Sequence, residues 1–299
     1  MSNIKGKIQL KVRYFFDSVL KLVTRTGLVC PSCGNQQSTL VKRKYLVTSL
    51  RRCSACRLLF RIPTSSESEN KEFYQRKYQQ GFTTEMPNSQ ELRQLKSTMF
   101  RNTEKDYSNY IKVLKALGLK VGTSLIDYGC SWGYGSWQLK KAGYSVQSYE
   151  ISRPRCEYAK KFMGVDATWE INDLEGRFDI FFSAHVLEHV LAVGDVLTLA
   201  MKMLKPGGRF VAFTPNGSDV YRNAYPWQWD RSWGLVHPNL IDEEYYRFKF
   251  KDMSFLVASS PYDCNAIKEW VCIEDRKIKQ KVLTLSGKEL LCTVKAPSI

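Results

Sequence analysis

Residues 125–135 read LIDYGCSWGYG, and the fold is decided there. Leu125–Tyr128 is a short, mostly apolar run of the length and content of a buried strand. Glycines 129, 133 and 135 interrupt it, and Trp137–Ala142 resumes with helix-forming residues. A strand, a glycine-rich turn and a helix in that order form the first unit of a doubly wound nucleotide fold. Glycine lets such a turn bring bare backbone against a ligand. The free N–H groups of the helix's first turn favour a carboxylate or phosphate there.

The same alternation continues downstream. Ser145–Glu150 (SVQSYE) reads as the second strand, and its terminal Glu150 stands about twenty residues beyond the turn, where an acid accepts hydrogen bonds from ribose hydroxyls. Simple surface charge is the plainer alternative for that acid. Phe178–Ser183 reads as the fourth strand. In 195–204 (DVLTLAMKML) the apolar residues recur at helix-core spacing, and Pro206 with two glycines ends that helix before a fifth strand. Phe255–Ser259 and Glu289–Lys295 are expected to supply the last two strands.

LIDYGCSWGYG resembles motif I (D-x-G-C-G-x-G) of the class I S-adenosylmethionine methyltransferases. Asp127, Gly129, Cys130 and Gly133 match, while Ser131 stands where a middle glycine is usual. Further matches follow in order through 111–299. The resemblance implies a doubly wound α/β fold: a seven-stranded Rossmann-like sheet ordered 3-2-1-4-5-7-6, the last strand antiparallel. It implies S-adenosylmethionine as cofactor, held by Asp127, Gly129, Cys130 and Gly133, with Glu150 on the ribose. Asp173 is the residue expected near adenine, with a turn cap as its alternative role. A segment before the core covers the cofactor in this family, which makes Tyr74 and Tyr78 either lining or packing residues. Ser131 would weaken cofactor binding if its side chain intrudes on the methionine end.

The chain has three histidines. His185, Glu188 and His189 lie in HVLEH, spaced to share one face of a helical turn just after the fourth strand. His237 lies in WGLVHPNLID after the fifth, at the same carboxyl edge where open α/β sheets hold ligands. Two mechanisms fit. His189 or His185 is a general base removing a proton from a substrate hydroxyl, the preferred reading, or the cluster binds a divalent cation that lowers the hydroxyl pKa. HVLEH is similar to the E-x-x-E-H of ubiquinone-pathway and small-RNA O-methyltransferases, where acids and histidine hold a metal; here His185 replaces the first glutamate, which disfavours Mg²⁺. Glu188 paired with His189 merely to fix the loop is the structural alternative.

Four of the nine cysteines form C-x2-C-x19-C-x2-C: Cys30, Cys33, Cys53 and Cys56. Two such knuckles close a tetrahedron of thiolates around Zn²⁺, leaving no open position, so the ion is expected to be structural. The segment resembles the zinc-ribbon head of some sugar and polysaccharide methyltransferases; ribbons also precede some RNA methyltransferases. Leu40–Leu50 between the knuckles reads as strand-like. Before it, residues 4–25 carry Ile8, Val12, Phe15, Phe16, Val19, Leu22 and Val23 on one helical face. That face either packs on its own protein, the plainer reading, or lies at a membrane surface. The organisation expected is a basic amphipathic helix (1–27), a zinc ribbon (28–63), a linker and helical segment (64–110) and a methyltransferase domain (111–299).

Net charge is +16, and the first sixty residues hold twelve Lys and Arg against Asp17 alone. An anionic partner is implied: nucleic acid, lipid head groups or a phosphorylated substrate. No apolar run approaches 18 residues and no signal sequence opens the chain, so a cytoplasmic protein is expected, peripheral to the membrane's inner face if the helix binds there. The aromatic stretch YRNAYPWQWDRSWGLVHPN reads as a stacking surface or a lid, with Arg222 and Arg231 as phosphate holders. Together these point to a sugar hydroxyl on a nucleotide sugar or lipid-linked glycan as acceptor, with oxygen or carbon methylation open. RNA methylation is the alternative, and a non-catalytic scaffold a third class.

Overall fold

The computed structural model describes residues 2–66, 68–69, 85–174, 176–273 and 279–298, with side chains from Val12 onward. Tyr74 and Tyr78 lie outside the described residues. Twelve strands are described: β1 (Ser38–Lys44), β2 (Thr48–Cys53), β3 (Leu59–Ile62), β4 (Ser124–Tyr128), β5 (Ser145–Tyr149), β6 (Ala167–Thr168), β7 (Phe178–Ala184), β8 (Leu204–Pro215), β9 (Asn239–Leu240), β10 (Phe255–Ser259), β11 (Gln280–Val282) and β12 (Glu289–Lys295).

The main sheet runs β11-β10-β12-β8-β7-β4-β5-β6. β12 is antiparallel to both neighbours, and the remaining pairs are parallel. The eighth strand, β11, pairs at the edge beside β10; it is three residues of mostly polar sequence, too short to show a period. Central strands read as apolar runs because both faces are covered. Ile126, Phe181, Phe210 and Ala212 meet the helix Val193–Met203 on one side. Leu125, Ile180, Phe182, Val211 and Phe213 meet the helices Ser108–Ala116 and Cys264–Ile273 on the other.

Three local expectations need correction. The KPGG segment belongs to the start of β8, with a register shift against β7. Leu40–Leu50 is a hairpin, not one strand: β1 turns back into β2 through Tyr45 and Leu46, both left-handed (φ 52° and 63°). HVLEH is not helical. His185 is left-handed (φ 56°) and only isolated turn bonds follow, from His189 N–H to the Val186 carbonyl and from Val190 N–H to Leu187.

The helix Ser2–Val23 also differs from the plainer reading. Tyr14, Ser18 and Lys21 face inward; the Tyr14 hydroxyl meets Thr48, and Lys21 donates to the Thr64 carbonyl. Val12, Phe15, Phe16, Leu20 and Val23 are left exposed.

Candidate functional site

The knuckles come first in the chain and are built alike. In each, the residue after the second cysteine is left-handed, Gly34 at φ 71° and Arg57 at φ 66°, and its N–H returns to the carbonyl of the first cysteine. Sγ of Cys30 and Cys56 are 3.5 Å apart, and those of Cys33 and Cys53 3.6 Å. All four sulfurs lie within 4.8 Å of one another. These separations exclude disulfides, whose S–S bond is about 2 Å. They approach the edge of roughly 3.8 Å expected of a thiolate tetrahedron with metal–sulfur bonds near 2.3 Å.

The ribbon is not a detached head. Its sheet runs β1-β2-β3-β9, so its last strand comes from the loop beyond β8. The Arg61 side chain, 1% exposed, donates to the carbonyls of Gly234 (2.9 Å), Leu235 (3.0 Å) and Pro63 (3.2 Å) and to Ser65 Oγ (3.1 Å). Lys44 Nζ donates to the carbonyls of Asp230 and Trp233. A guanidinium and an ammonium from the ribbon thus hold the loop that carries His237.

At the carboxyl edge of the main sheet the glycine-rich turn is sewn to the end of β5. Gly129 and Cys130 N–H both donate to the Tyr149 carbonyl (2.8 and 3.0 Å). Ser131 N–H donates to Glu150 Oε2 (2.9 Å), and Ser152 N–H to its Oε1 (2.8 Å). Gly129 has φ 89°, and a Cβ there would fall 2.3 Å from Val186, so only glycine admits the loop after β7. Gly133, also left-handed, caps the helix Tyr134–Lys141. Ser131 takes the backbone role of the missing glycine at φ 53°; its hydroxyl accepts from buried Arg155 at 2.6 Å. Its Oγ is therefore turned to a partner that no glycine would need. Asp127 is buried and accepts from Ser136 (2.5 Å); burial pushes its pKa up to about 7 despite that bond. Burial likewise raises Glu150. Asp173 is exposed and accepts from the Thr168 hydroxyl (2.9 Å).

The loop after β7 carries the second group. Glu188 is 1% exposed, and neither of its oxygens accepts a hydrogen bond. His185 Nδ1 lies 3.3 Å from Glu188 Oε1 without hydrogen-bonding alignment, while its Nε2 meets Glu289 Oε2 at 2.6 Å. Desolvation works against the charge on His185, whose side chain is still 46% exposed, but the carboxylates of Glu188 and Glu289 prevail and raise its pKa to about 10. Burial alone would raise Glu188; chiefly the neighbouring His185 brings it down to about 2. Both nitrogens of His185 face carboxylates, so it is an imidazolium with no lone pair to accept a proton. The expectation of His185 as general base is corrected on that ground. Glu289 also accepts from Tyr110 and Tyr262, each at 2.6 Å.

His189 and His237 differ. Each spends Nδ1 on a backbone carbonyl, Val236 (3.0 Å) and Ser232 (2.9 Å), which leaves Nε2 as the nitrogen facing the cluster's other members. Their rings meet edge-on at 4.5 Å. Burial lowers His189 to about 4, keeping it neutral and making it a weak base. One donor atom from each of Glu188, His189 and His237 lies within 4.8 Å of the others. Two imidazoles, each pinned to a backbone carbonyl through Nδ1, and one buried carboxylate are a donor set for a divalent cation of the Zn²⁺ or Mn²⁺ kind.

The family called "Methyltransferase domain" matches residues 99–257, more than half of the chain. The chain belongs to this family. The matched span runs from the segment before β4 through β10, so it contains the glycine-rich turn, Glu150 and the three histidines. Among similar curated proteins is a ubiquinone biosynthesis O-methyltransferase of Nitrobacter winogradskyi, 32% identical over 110 residues, 34% of this chain and 42% of that protein. One from Caulobacter vibrioides is 30% identical over 105 residues, 32% of this chain and 42% of that one. The Escherichia coli cyclopropane-fatty-acyl-phospholipid synthase is 26% identical over 128 residues, 38% and 32% respectively. These matches span less than half the length of each relative. Among solved structures, magnesium protoporphyrin IX methyltransferase from Synechocystis with bound S-adenosylmethionine overlays with TM-score 0.47 at 13% identity, over 78% of this chain and all of that one.

Several residues of the site were beyond sequence reasoning. Glu289, Tyr110, Tyr262, Arg155 and Arg61 carry no local motif, and only tertiary folding brings them in. Of the aromatic stretch, Trp229 and Trp233 are core, the first donating to the Gly217 carbonyl; Trp227 is exposed under Arg231.

Proposed function

We propose that this chain transfers the methyl group of S-adenosylmethionine to a hydroxyl oxygen, the acceptor being a sugar on a nucleotide sugar or lipid-linked glycan. The observation that carries the reading is the buried carboxylate of Glu188 beside His189 and His237, with one donor atom of each within 4.8 Å of the others. Membership in the methyltransferase-domain family supports the cofactor, and the relatives named as O-methyltransferases support oxygen as the atom methylated. The sugar rests on the combination of ribbon, HVLEH and histidine-bearing loop.

Asp127, Gly129, Cys130 and Gly133 would cradle the cofactor's methionine end, and Glu150 would accept the ribose hydroxyls on the lone pairs its two backbone donors leave free. Asp173 would stand by the adenine only by giving up Thr168. Glu188, His189 and His237 would hold a divalent cation, which supplies Lewis-acid charge that eases loss of the acceptor's proton. This reading displaces the general base at His189, because a base at about pKa 4 is poorly matched to neutral pH. With its proton passed to solvent water, the acceptor oxygen then attacks the methyl carbon in line as the carbon–sulfur bond breaks, leaving S-adenosylhomocysteine, and positioning supplies much of the acceleration. His185, bonded to Glu289 and close to Glu188, would balance the charge of the two carboxylates rather than touch the acceptor. The four cysteines would hold a structural Zn²⁺, since they offer no open position.

Incubating the protein with methyl-labelled S-adenosylmethionine and a cell-envelope extract tests the acceptor. Label recovered as an O-methyl sugar after acid hydrolysis is expected. Label recovered only in RNA, or only in non-sugar products, would contradict the sugar.

A further inference from the structure

A cavity of about 780 Å³ lies between the N-terminal helix, the β1–β2 hairpin and the loop Arg231–His237. That volume is within the usual range for a small-molecule site. Phe15 and Phe16 of the helix, Val47 of the hairpin, and Trp233 and Leu235 of the loop make it strongly apolar. The cationic side chains on its wall are Arg231 and Lys44, the latter paired with Asp230 and bonded to two loop carbonyls, and none of the described residues lining it is acidic. His237 closes one end, and the same residue belongs to the Glu188–His189–His237 cluster. Val236, also on the wall, accepts from His189. The cavity and the candidate site therefore have His237 in common.

At the cavity's rim, where Phe16 and Tyr45 also line it, and beyond, the surface is apolar where a soluble surface is not. Phe16, Leu20 and Val23, at i, i+4 and i+7 of the helix, are 64%, 62% and 76% exposed. The hairpin tip carries Tyr45 and Leu46, the latter 94% exposed, both in the left-handed region that glycine or asparagine normally occupies in such turns. A strained tip that presents leucine to water is unfavourable in solution, and so is a helix that turns serine inward and phenylalanine outward. Both become favourable against lipid. Basic residues stand close by, with Lys42, Arg43 and Lys44 on β1 and Arg231 on the loop.

We propose that the cavity takes the hydrocarbon chain of an anionic, membrane-borne amphiphile whose hydroxyl-bearing head reaches Glu188, His189 and His237, while the Tyr45–Leu46 tip and the Phe16–Leu20–Val23 face rest on the bilayer. This rests on the methyl-transfer reading and narrows it: the acceptor is lipid-linked, not a free nucleotide sugar. The anionic head meets Arg231 before the active cluster.

The test is calorimetric titration of the full, zinc-loaded chain with dodecyl phosphate below its micelle concentration, against inorganic phosphate (head only) and dodecyl maltoside (uncharged head). Saturable binding of dodecyl phosphate, tighter than either control, is expected. Filling the cavity from opposite walls, by Val47→Trp and separately by Leu235→Trp, should weaken it about tenfold, as when a few methylenes lose apolar surroundings. S-adenosylmethionine affinity should stay unchanged, which shows that the variants fold. Leu46→Glu with Phe16→Glu should abolish sedimentation with phosphatidylglycerol vesicles. Binding untouched by both fillings would overturn the tail site, equal binding of dodecyl maltoside the anionic head, and sedimentation untouched by the two glutamates the bilayer contact. A chain that binds dodecyl phosphate but not S-adenosylmethionine would keep this inference and lose the methyl-transfer reading; the reverse result would do the opposite.

Discussion

Arg61 of β3 donates Nη1 to the carbonyl of Gly234 at 2.9 Å, and that bond ties the cysteine-bearing ribbon to the loop of His237. The ribbon is thereby part of the site's scaffold, and the consequences are measurable.

Arg61→Ala should cost about 3 kcal/mol or more, because it leaves several buried carbonyls unbonded. Arg61→Lys should rescue little of this, since an ammonium lacks the planar fork of donors. Thermal unfolding measures the cost. Methyl transfer should fall in both variants while S-adenosylmethionine affinity holds, because the glycine-rich turn does not touch Arg61.

The cysteine cluster should carry about one Zn²⁺ per chain by elemental analysis, as four thiolates demand. Cys30→Ser or a strong chelator should lower the melting temperature and also loosen the 230–237 loop, read as faster hydrogen exchange there. Unchanged exchange in that loop would show that the ribbon and the site are independent.

How much of this was legible in the sequence depends on range. The glycine-rich turn, the acid after β5 and the cysteine knuckles rest on contacts between near neighbours, so residue spacing reveals them. HVLEH was legible as a cluster but not in shape: a left-handed His185 replaces the helical face, since its ring reaches across to Glu289, 104 residues away. The N-terminal helix was readable as amphipathic, yet periodicity states only that a face is apolar, not what covers it. The inward turn of Tyr14, Ser18 and Lys21 depends on Thr48 and Thr64, which no local pattern announces.

Glu150→Ala should weaken S-adenosylmethionine binding by about tenfold or more, through loss of an acceptor for the ribose and of the two N–H groups it holds. Ser131→Gly should change affinity little, because its hydroxyl points to Arg155. Calorimetry reads both. A marked gain in affinity for Ser131→Gly would mean that the hydroxyl obstructs the cofactor.

His185 supplies a pH signature in the chelated, cation-free protein. Its folded pKa, raised to about 10, exceeds an ordinary value near 6.5. Its contribution to stability is then fully present below about pH 6.5 and lost as pH rises through about 10. The difference in denaturation midpoint between wild type and His185→Gln should shrink over that window. The effect should be modest, because the His185 side chain is 46% exposed and solvent screens the pairs.

The central claim is that Glu188, His189 and His237 form one cation-binding centre, and it is tested most directly by titrating Mn²⁺ into the zinc-loaded protein and following the free ion by electron paramagnetic resonance. One saturable site per chain is expected, lost in Glu188→Gln with the fold intact by circular dichroism. No Mn²⁺ binding by wild type, or equal binding by Glu188→Gln, would contradict it.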